Sequence, residues 1–257
     1  MSAMVFDEKY ILQSVEKAGA VLNLFFQYPE LGPSDIAKEL GITKGTAFRL
    51  LLTLENAGLL IRTEKARYRL SMRIYSLGQF AYNRLNLTGI SHNHLVSLVE
   101  ETGESAFLAI SDGRQDIIYL DRALCKSTIR VDITLGTYWQ AHCTGVGKAI
   151  LAFQPESFLS SYLELADFKP VTHYSLTSKE QFLNEIAMIR RSGIAYDNQE
   201  SEIGLTCYAA PILDCEGHSI AAISICGPLS RMTYRSDEKI DAVKHIAQEI
   251  SSQVSHS

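Results

Sequence analysis

The fold of the N-terminal part follows from the segment Pro33-Ser34-Asp35-Ile36-Ala37-Lys38-Glu39-Leu40-Gly41-Ile42-Thr43-Lys44-Gly45-Thr46-Ala47-Phe48-Arg49-Leu50-Leu51. It predicts a short helix that begins at the proline and ends at the glycine. A second helix is predicted from Lys44, because the Thr43 hydroxyl can accept a hydrogen bond from an amide of the next turn. Two short helices joined by a tight glycine-containing turn form the helix-turn-helix arrangement.

The second of these helices has two different faces. Its apolar residues recur at helical spacing and should pack inward, and they are Ala47, Leu50, Leu51 and Leu54. Small, polar and cationic side chains stand on the other face near the helix start, where they could enter a major groove. The candidate DNA-binding residues of this helix are Thr43, Lys44, Gly45, Thr46 and Arg49.

A buried helix over residues 14–27 is predicted before this pair, and a basic hairpin after it. Residues 59–62 and 67–70 alternate in polarity on either side of a polar turn, as two strands would. A basic hairpin that follows a recognition helix is typical of a wing. Its candidate phosphate-binding residues are Arg62, Lys65, Arg67 and Arg69.

Composition limits the class of protein. With 257 residues, 46% apolar and 21% charged, the chain can build one large core or two modest ones, which excludes disordered and fibrous classes. The whole chain has a net charge of −5, but its first part, residues 1–73, is slightly basic, with ten basic and eight acidic residues. We find no apolar run of membrane-spanning length and an acidic start unlike a signal peptide, so we expect a cytoplasmic protein.

The rest of the chain predicts a separate α+β domain with an antiparallel sheet. We expect a winged helix-turn-helix domain over residues 1–71, a connecting helix over 72–86 and an effector domain over 87–257. Strands are predicted at residues 105–110, 116–123, 128–133, 195–197, 206–213 and 219–226, with helices between them.

Gly145-Val146-Gly147-Lys148 resembles the end of a nucleotide-binding loop but does not match it. Position 142 is His where that motif needs Gly, and position 149 is Ala where it needs Ser or Thr. A turn that opens a helix offers free amides and the positive end of the helix dipole, which suit a carboxylate. A glycine-rich turn without a ligand remains the alternative.

Ordered blocks along nearly the whole chain resemble the IclR-type transcriptional regulators, and in particular their sugar-acid-responsive, KdgR-like branch. The blocks are Ser14-Val15-Glu16-Lys17-Ala18, Thr43-Lys44-Gly45-Thr46-Ala47-Phe48-Arg49-Leu50-Leu51, His142-Cys143-Thr144-Gly145-Val146-Gly147-Lys148-Ala149, Gly204-Leu205-Thr206-Cys207-Tyr208 and Ser224-Ile225-Cys226. Two positions depart from the family pattern: Gly45 replaces a common Ser, and Cys226 replaces the second Ser of a Ser-x-Ser.

The resemblance implies a GAF-like effector domain and a regulator without catalytic activity or cofactor. It implies a homodimer, and in some cases a dimer of dimers, that binds a pseudo-palindromic double-stranded DNA operator. A small organic acid or sugar acid would control that binding, usually to relieve repression of a catabolic operon. The residues implied to bind this effector are Thr144, Gly145, Val146, Asp197, Cys207, Ser224, Ile225 and Cys226.

Asp197 is an unusual partner for an anionic effector, since two carboxylates repel each other. It could bind a hydroxyl or aldehyde end of the effector, be protonated, or orient a neighbouring group. Sugar-derived acids, with a carboxylate at one end and hydroxyls at the other, would satisfy both the helix turn and Asp197.

Three other functions are open from the residues alone. His142 with Cys143, or Cys207, could form the nucleophile of a hydrolase. His142 with Cys143, Cys207 and Cys226 could bind a metal, although their spacing does not favour one. The protein could also be a sensor or interaction module that no longer binds DNA, which Gly45 would favour.

Overall fold

The computed structural model describes residues 11–84 and 87–255. They fall into two compact units, one containing residues 11–84 and the other residues 87–255. Each unit has its own hydrophobic core, so each is described by itself.

The first unit is a helical bundle with a two-stranded hairpin. Its elements in chain order are α1 (Gln13–Leu24), α2 (Pro33–Glu39), α3 (Lys44–Asn56), β1 (Leu60–Arg62), β2 (Tyr68–Leu70) and α4 (Met72–Arg84). Its core contains Val21 of α1, Ile36 of α2, Leu51 of α3 and Tyr68 of the hairpin, all at most 1% exposed. This confirms a winged helix-turn-helix.

Local hydrogen bonds fix both helix starts in the way the sequence predicts. Thr43 caps α3, and its Oγ1 accepts a hydrogen bond of 3.2 Å from the amide of Thr46. Asp35 reaches back to the start of α2, where its Oδ2 accepts from the amide of Gly32 at 2.8 Å. Gly41, between the helices, has a φ of +62°, a conformation that costs glycine nothing. The turn geometry therefore follows from the sequence.

The second unit is an α+β domain with one six-stranded sheet. Its elements are α5 (Leu87–Thr102), β3 (Ser105–Ser111), β4 (Asp116–Ala123), β5 (Tyr138–Gln140), α6 (Gly145–Ala152), α7 (Glu156–Leu165), α8 (Lys179–Ser192), β6 (Ala195–Asn198), β7 (Leu205–Leu213), β8 (Ser219–Pro228), α9 (Leu229–Met232) and α10 (Ser236–Ser255). No helix in the described ranges combines the length and apolar character needed to cross a membrane.

The strands are ordered β5-β4-β3-β8-β7-β6, and every neighbouring pair is antiparallel. One face of the sheet packs against α5 and α10, with Leu108, Tyr208 and Ile225 in that core. The other face packs against α6, α7 and α8, with Phe107 and Ala209 in that core. This second face carries the candidate ligand site.

The prediction of a strand over residues 128–133 is wrong. That segment is irregular, and the strand that pairs with β4 on the side away from β3 is the later β5, with Ile117 opposite Trp139. The apolar residues of the segment, Val131 and Ile133, pack against the core that surrounds the cavity described below. Their alternation therefore arises from tertiary packing and not from strand pairing.

Candidate DNA-binding surface and effector pocket

The start of α3 forms an exposed polar surface in the first unit. Lys44, Gly45 and Arg49 are exposed, while Ala47 on the opposite side is completely buried. The Oγ1 atoms of Thr43 and Thr46 lie 2.9 Å apart, so the two hydroxyls form a hydrogen bond at the helix start. These five predicted DNA-binding residues thus lie together at one end of α3.

Two further observations refine this surface. A Cβ built on Gly45 would come no closer than 4.0 Å to Thr43 Oγ1, so no steric constraint requires glycine there. Phe48 is 43% exposed on the same helix and was not predicted as a contact residue. An aromatic ring at this place could contact a thymine methyl group. The exposure of Phe48 is known only from the way α3 packs in the folded unit.

The four basic residues of the wing are not equivalent. Arg62, Lys65 and Arg69 are exposed on the hairpin. Arg67 is half-buried instead, forms an ion pair of 2.8 Å with Asp35, and donates a hydrogen bond of 2.9 Å to the carbonyl of Glu30. Arg67 therefore fastens the wing to the start of α2, and the other three are free to approach a phosphate backbone.

In the second unit a cavity of about 550 Å³ opens between the sheet and the start of α6. We call it the effector pocket because most of the residues predicted to bind an effector line it, and the name stands for that prediction. This volume lies in the range of small-molecule sites. Its floor is formed by β4, β7 and β8 and its rim by residues 131–139 and 201–205. Six of the eight predicted effector residues line it, and they are Gly145, Val146, Asp197, Cys207, Ser224 and Cys226.

The start of α6 lies very close to the rest of the unit, which explains its glycines. A Cβ on Gly147 would be 2.3 Å from the carbonyl oxygen of Ala141, and one on Gly145 would be 3.3 Å from the Cβ of Ala209. Thr144 caps the helix, and its Oγ1 accepts a hydrogen bond of 3.2 Å from the amide of Gly147. Gly145 and Val146, the first residues of the helix, line the effector pocket. Their amides and the helix dipole suit a bound anion.

Two predicted effector residues do not line the pocket. Thr144 is 2% exposed and acts as the helix cap. Ile225 points to the opposite face of the sheet, into the core with α5 and α10. Its neighbours Ser224 and Cys226 do line the pocket, with Oγ and Sγ 3.7 Å apart.

Asp197 is 1% exposed and is engaged by the turn that follows it. Its Oδ1 accepts hydrogen bonds from the amides of Glu200, at 2.7 Å, and Ser201, at 3.3 Å. Its Oδ2 accepts a short hydrogen bond from the Ser201 hydroxyl. Burial nevertheless raises the pKa of Asp197, because these hydrogen bonds offset only part of the cost of removing the carboxylate from water. Of the three roles considered for Asp197, orientation of neighbouring groups is the one these contacts favour.

Several lining residues are not among the eight residues predicted to bind the effector. Tyr119 and Trp139 form one wall, with ring centroids 6.3 Å apart in an edge-to-face arrangement. Asp132, Ser201 and Glu202 add polar groups, and Asp132 is ion-paired with Arg122. Among the described residues no lysine, arginine or histidine lines the pocket. Backbone amides and hydroxyls are therefore the groups available to an anion.

The buried thiols are poor nucleophiles. Burial raises the pKa of Cys143 to about 12 and that of Cys207 well above its usual range, so neither is a thiolate at neutral pH. Burial lowers the pKa of His142, whose Nε2 lies 3.3 Å from the carbonyl of Lys169. In residues 11–84 and 87–255 no three His, Cys, Asp or Glu side chains come together in a way that could hold a metal ion. This geometry disfavours both the hydrolase and the metal site.

This chain carries both a winged helix-turn-helix and a domain with a ligand-sized cavity. That combination is typical of one-component transcriptional regulators. Residues 79–252 match the bacterial transcriptional regulator IclR C-terminal domain, and residues 14–64 match the IclR helix-turn-helix domain. The chain therefore belongs to the IclR family and is a DNA-binding transcriptional regulator.

Known proteins similar to this chain agree with that assignment. The HTH-type transcriptional regulator XynR of Escherichia coli is 33% identical over 230 residues, 89% of each chain. The transcriptional repressor IclR of the same organism is 31% identical over 202 residues, 78% of this chain and 74% of the repressor. The crystal structure of Thermotoga maritima IclR superposes with a TM-score of 0.70 at 32% identity, covering 95% of this chain and 99% of that one.

Proposed function

We propose that this protein represses a catabolic operon and that a small carboxylic acid, bound in the effector pocket, controls its affinity for DNA. The observation that carries the proposal is the start of α6, where Gly145 and Val146 face a cavity of about 550 Å³. An effector can change DNA affinity only if it binds two conformations of the protein with different affinity. The coupling free energy between two such sites is typically about 1–3 kcal/mol. The protein works by binding and not by catalysis.

A sugar-derived acid fits the effector pocket better than a two-carbon acid. Its carboxylate would accept from the amides at the start of α6, and the Ser224 hydroxyl lies on the adjacent sheet. Hydroxyl groups farther along the ligand would meet Ser201 and Glu202, while the Tyr119–Trp139 wall would cover its carbon skeleton. Because Asp197 already binds its own turn, it acts by holding Ser201 in place and not as a direct partner of the acid.

The DNA-bound form is proposed to be a homodimer or a dimer of two such dimers. Two copies of α3 would enter successive major grooves of a pseudo-palindromic operator, with Lys44, Thr46 and Arg49 near bases and phosphates. Exposed apolar side chains on α4, among them Met72 at 71% and Tyr75 at 61%, suit a contact between copies. The similar repressor from E. coli supports repression as the direction of control. A regulator of this kind works at the chromosome, in the cytoplasm.

The effector is tested by thermal unfolding of the full chain, followed by the fluorescence of Trp139, the single tryptophan, in the presence of 2-oxo, hydroxy and sugar acids. An acid at a hundred times its dissociation constant should stabilise the effector domain by about 2.7 kcal/mol. Ser224→Ala should abolish the shift, and Ser160→Ala, exposed on α7, should retain it. If none of the acids shifts the transition, an acid effector is excluded for this panel.

DNA binding is tested by fluorescence anisotropy on a duplex that the protein itself selects from random sequence. Arg49→Ala should weaken binding by about 1–3 kcal/mol, or roughly 5- to 150-fold. Arg114→Ala removes the same charge from an exposed turn of the other unit and should leave affinity unchanged. Light scattering should give the mass of a dimer or tetramer. Equal affinity of the Arg49 variant and the wild type would contradict the assigned recognition helix.

A further inference from the structure

A second cavity, of about 560 Å³, lies at the β6 edge of the sheet and is lined by residues other than those of the effector pocket. We call it the edge groove. It lies between β6, the start of α10 and α8. The residues that matter for its chemistry are Glu185, Tyr196, Glu200, Thr206, Tyr208 and Asp237.

Negative charge gathers in the edge groove from three separate elements. Glu185 comes from α8, Glu200 from the turn after β6 and Asp237 from the first turn of α10. Lys148 lies behind the groove, completely buried, with its Nζ 2.5 Å from Glu200 Oε1 and 3.5 Å from Glu185 Oε1. No lysine, arginine or histidine among the described residues lines the groove itself. One buried ammonium thus pairs with Glu185 and Glu200, no ion pair is shown for Asp237 within the described ranges, and the groove has an excess of negative charge.

Two side-chain oxygens, each buried and each belonging to a residue that lines the groove, lack hydrogen-bond partners. They are Oε2 of Glu200, a residue 6% exposed, and Oγ1 of Thr206, a residue 4% exposed. Leaving such an atom unpaired destabilises the folded state, and does so more strongly for a charged group. Both oxygens can accept a hydrogen bond. The groove therefore lacks a donor, and preferably a charged one.

Aromatic rings complete the groove. Tyr196 and Tyr208 meet edge to face, with centroids 5.5 Å apart and an interplanar angle of 78°. Burial raises the pKa of Tyr196, and the negative charges of Asp237 and Glu185 add to this effect. Ring faces beside carboxylates are a common way to bind ammonium and guanidinium groups.

We propose that the edge groove binds a small organic cation that carries a primary ammonium or guanidinium group. Its N–H groups would donate to the unpaired oxygens of Glu200 and Thr206, and Asp237 would balance its charge. The bound cation would lie against Tyr196 and Tyr208. This ligand differs in charge from the acid proposed for the effector pocket, so the two sites are distinguishable by experiment.

Titration calorimetry of the full chain with 1,4-diaminobutane and ethylguanidine tests this site. We expect saturable binding of these cations and none of 1,4-butanediol, which is neutral and of similar shape. Nα-acetyl-lysine amide reports on a cation carried by a polypeptide. It should bind no more tightly than 1,4-diaminobutane, and tighter binding would overturn the small free cation in favour of a lysine side chain of a partner protein.

Thr206→Val removes the unpaired hydroxyl and keeps the shape of the side chain. This variant should bind the cations at least tenfold more weakly, while its melting temperature without ligand should not fall, because a buried unpaired oxygen has been removed. Asp237→Asn should also weaken binding, and Asp241→Asn, an exposed control on the same helix outside the groove, should not. The proposal is overturned if no cation binds, or if both groove variants bind like the wild type.

Discussion

The ammonium of Lys148 lies 2.5 Å from Oε1 of Glu200, and both side chains are buried. Lys148 belongs to α6, and Glu200 belongs to the turn that Asp197 holds by hydrogen bonds. The ion pair therefore ties the helix at the effector pocket to the segment that borders the edge groove. It also gives a structural role to the lysine of the Gly-Val-Gly-Lys sequence, which resembles that of a phosphate-binding loop.

Replacement of Lys148 by Met should lower the free energy of unfolding of the effector domain by about 3–5 kcal/mol, because Glu200 would be left buried without its partner. Denaturant unfolding followed by Trp139 fluorescence measures it. The double variant Lys148→Met/Glu200→Gln should recover most of the loss, since it removes both charges. Lys244→Met, exposed on α10, is the matched control and should change little. A Lys148→Met variant as stable as the wild type would contradict the pairing.

The stability of the Asp197→Asn variant, compared with that of the wild type, should increase as the pH rises. The pKa of Asp197 is raised in the folded protein by burial, so the folded state binds more protons than the unfolded state above the ordinary pKa of 3.8. The wild type therefore loses stability as pH rises from about 4 through the folded pKa, and the asparagine variant does not. Melting temperatures of the two proteins, compared between about pH 4 and 8, measure this trend. If the melting temperature of the asparagine variant instead fell relative to the wild type as the pH rises, the pKa of Asp197 would be lowered and not raised in the folded protein.

Gly147→Ala should strongly destabilise the effector domain. Its Cβ would come within 2.3 Å of the carbonyl oxygen of Ala141, so α6 would have to move away from the turn that precedes it. Gly78→Ala is the matched control, because no atom lies within 4 Å of its Cβ and alanine favours a helix. The Trp139 transition should fall for the first variant and stay unchanged for the second. Wild-type stability of Gly147→Ala would show that α6 can shift without cost.

Arg67→Ala and Arg69→Ala should have different effects, although they lie two residues apart. Arg67 is bound to Asp35 and to the carbonyl of Glu30, so its loss should destabilise the winged helix by about 1 kcal/mol. Arg69 is exposed, so its loss should leave stability unchanged, weaken DNA binding and reduce the salt dependence of binding by about one unit. Thermal unfolding and anisotropy at several salt concentrations separate the two effects. Equal loss of DNA affinity without loss of stability in both variants would contradict the anchoring role of Arg67.

Much of the first unit could be predicted because its signals are local. The capping role of Thr43 and the left-handed turn at Gly41 depend on residues within one helical turn of each other. The apolar spacing of α3 likewise identifies its buried face without knowledge of the partner. The exposure of Phe48 and the anchoring role of Arg67 could not be predicted, because each depends on packing between elements that are separate in the sequence.

The same distinction between local signals and long-range packing applies to the candidate site of the second unit. By itself the sequence determined the family, the helix-opening turn at Gly145 and the shared face of Ser224 and Cys226, since alternation along a strand is a property of the backbone. Only the tertiary structure decided that Ile225 faces the other core, that Tyr119 joins the pocket wall and that residues 128–133 form no strand. Cavities form between elements that are distant in sequence, and periodicity carries no information about which side chains meet there.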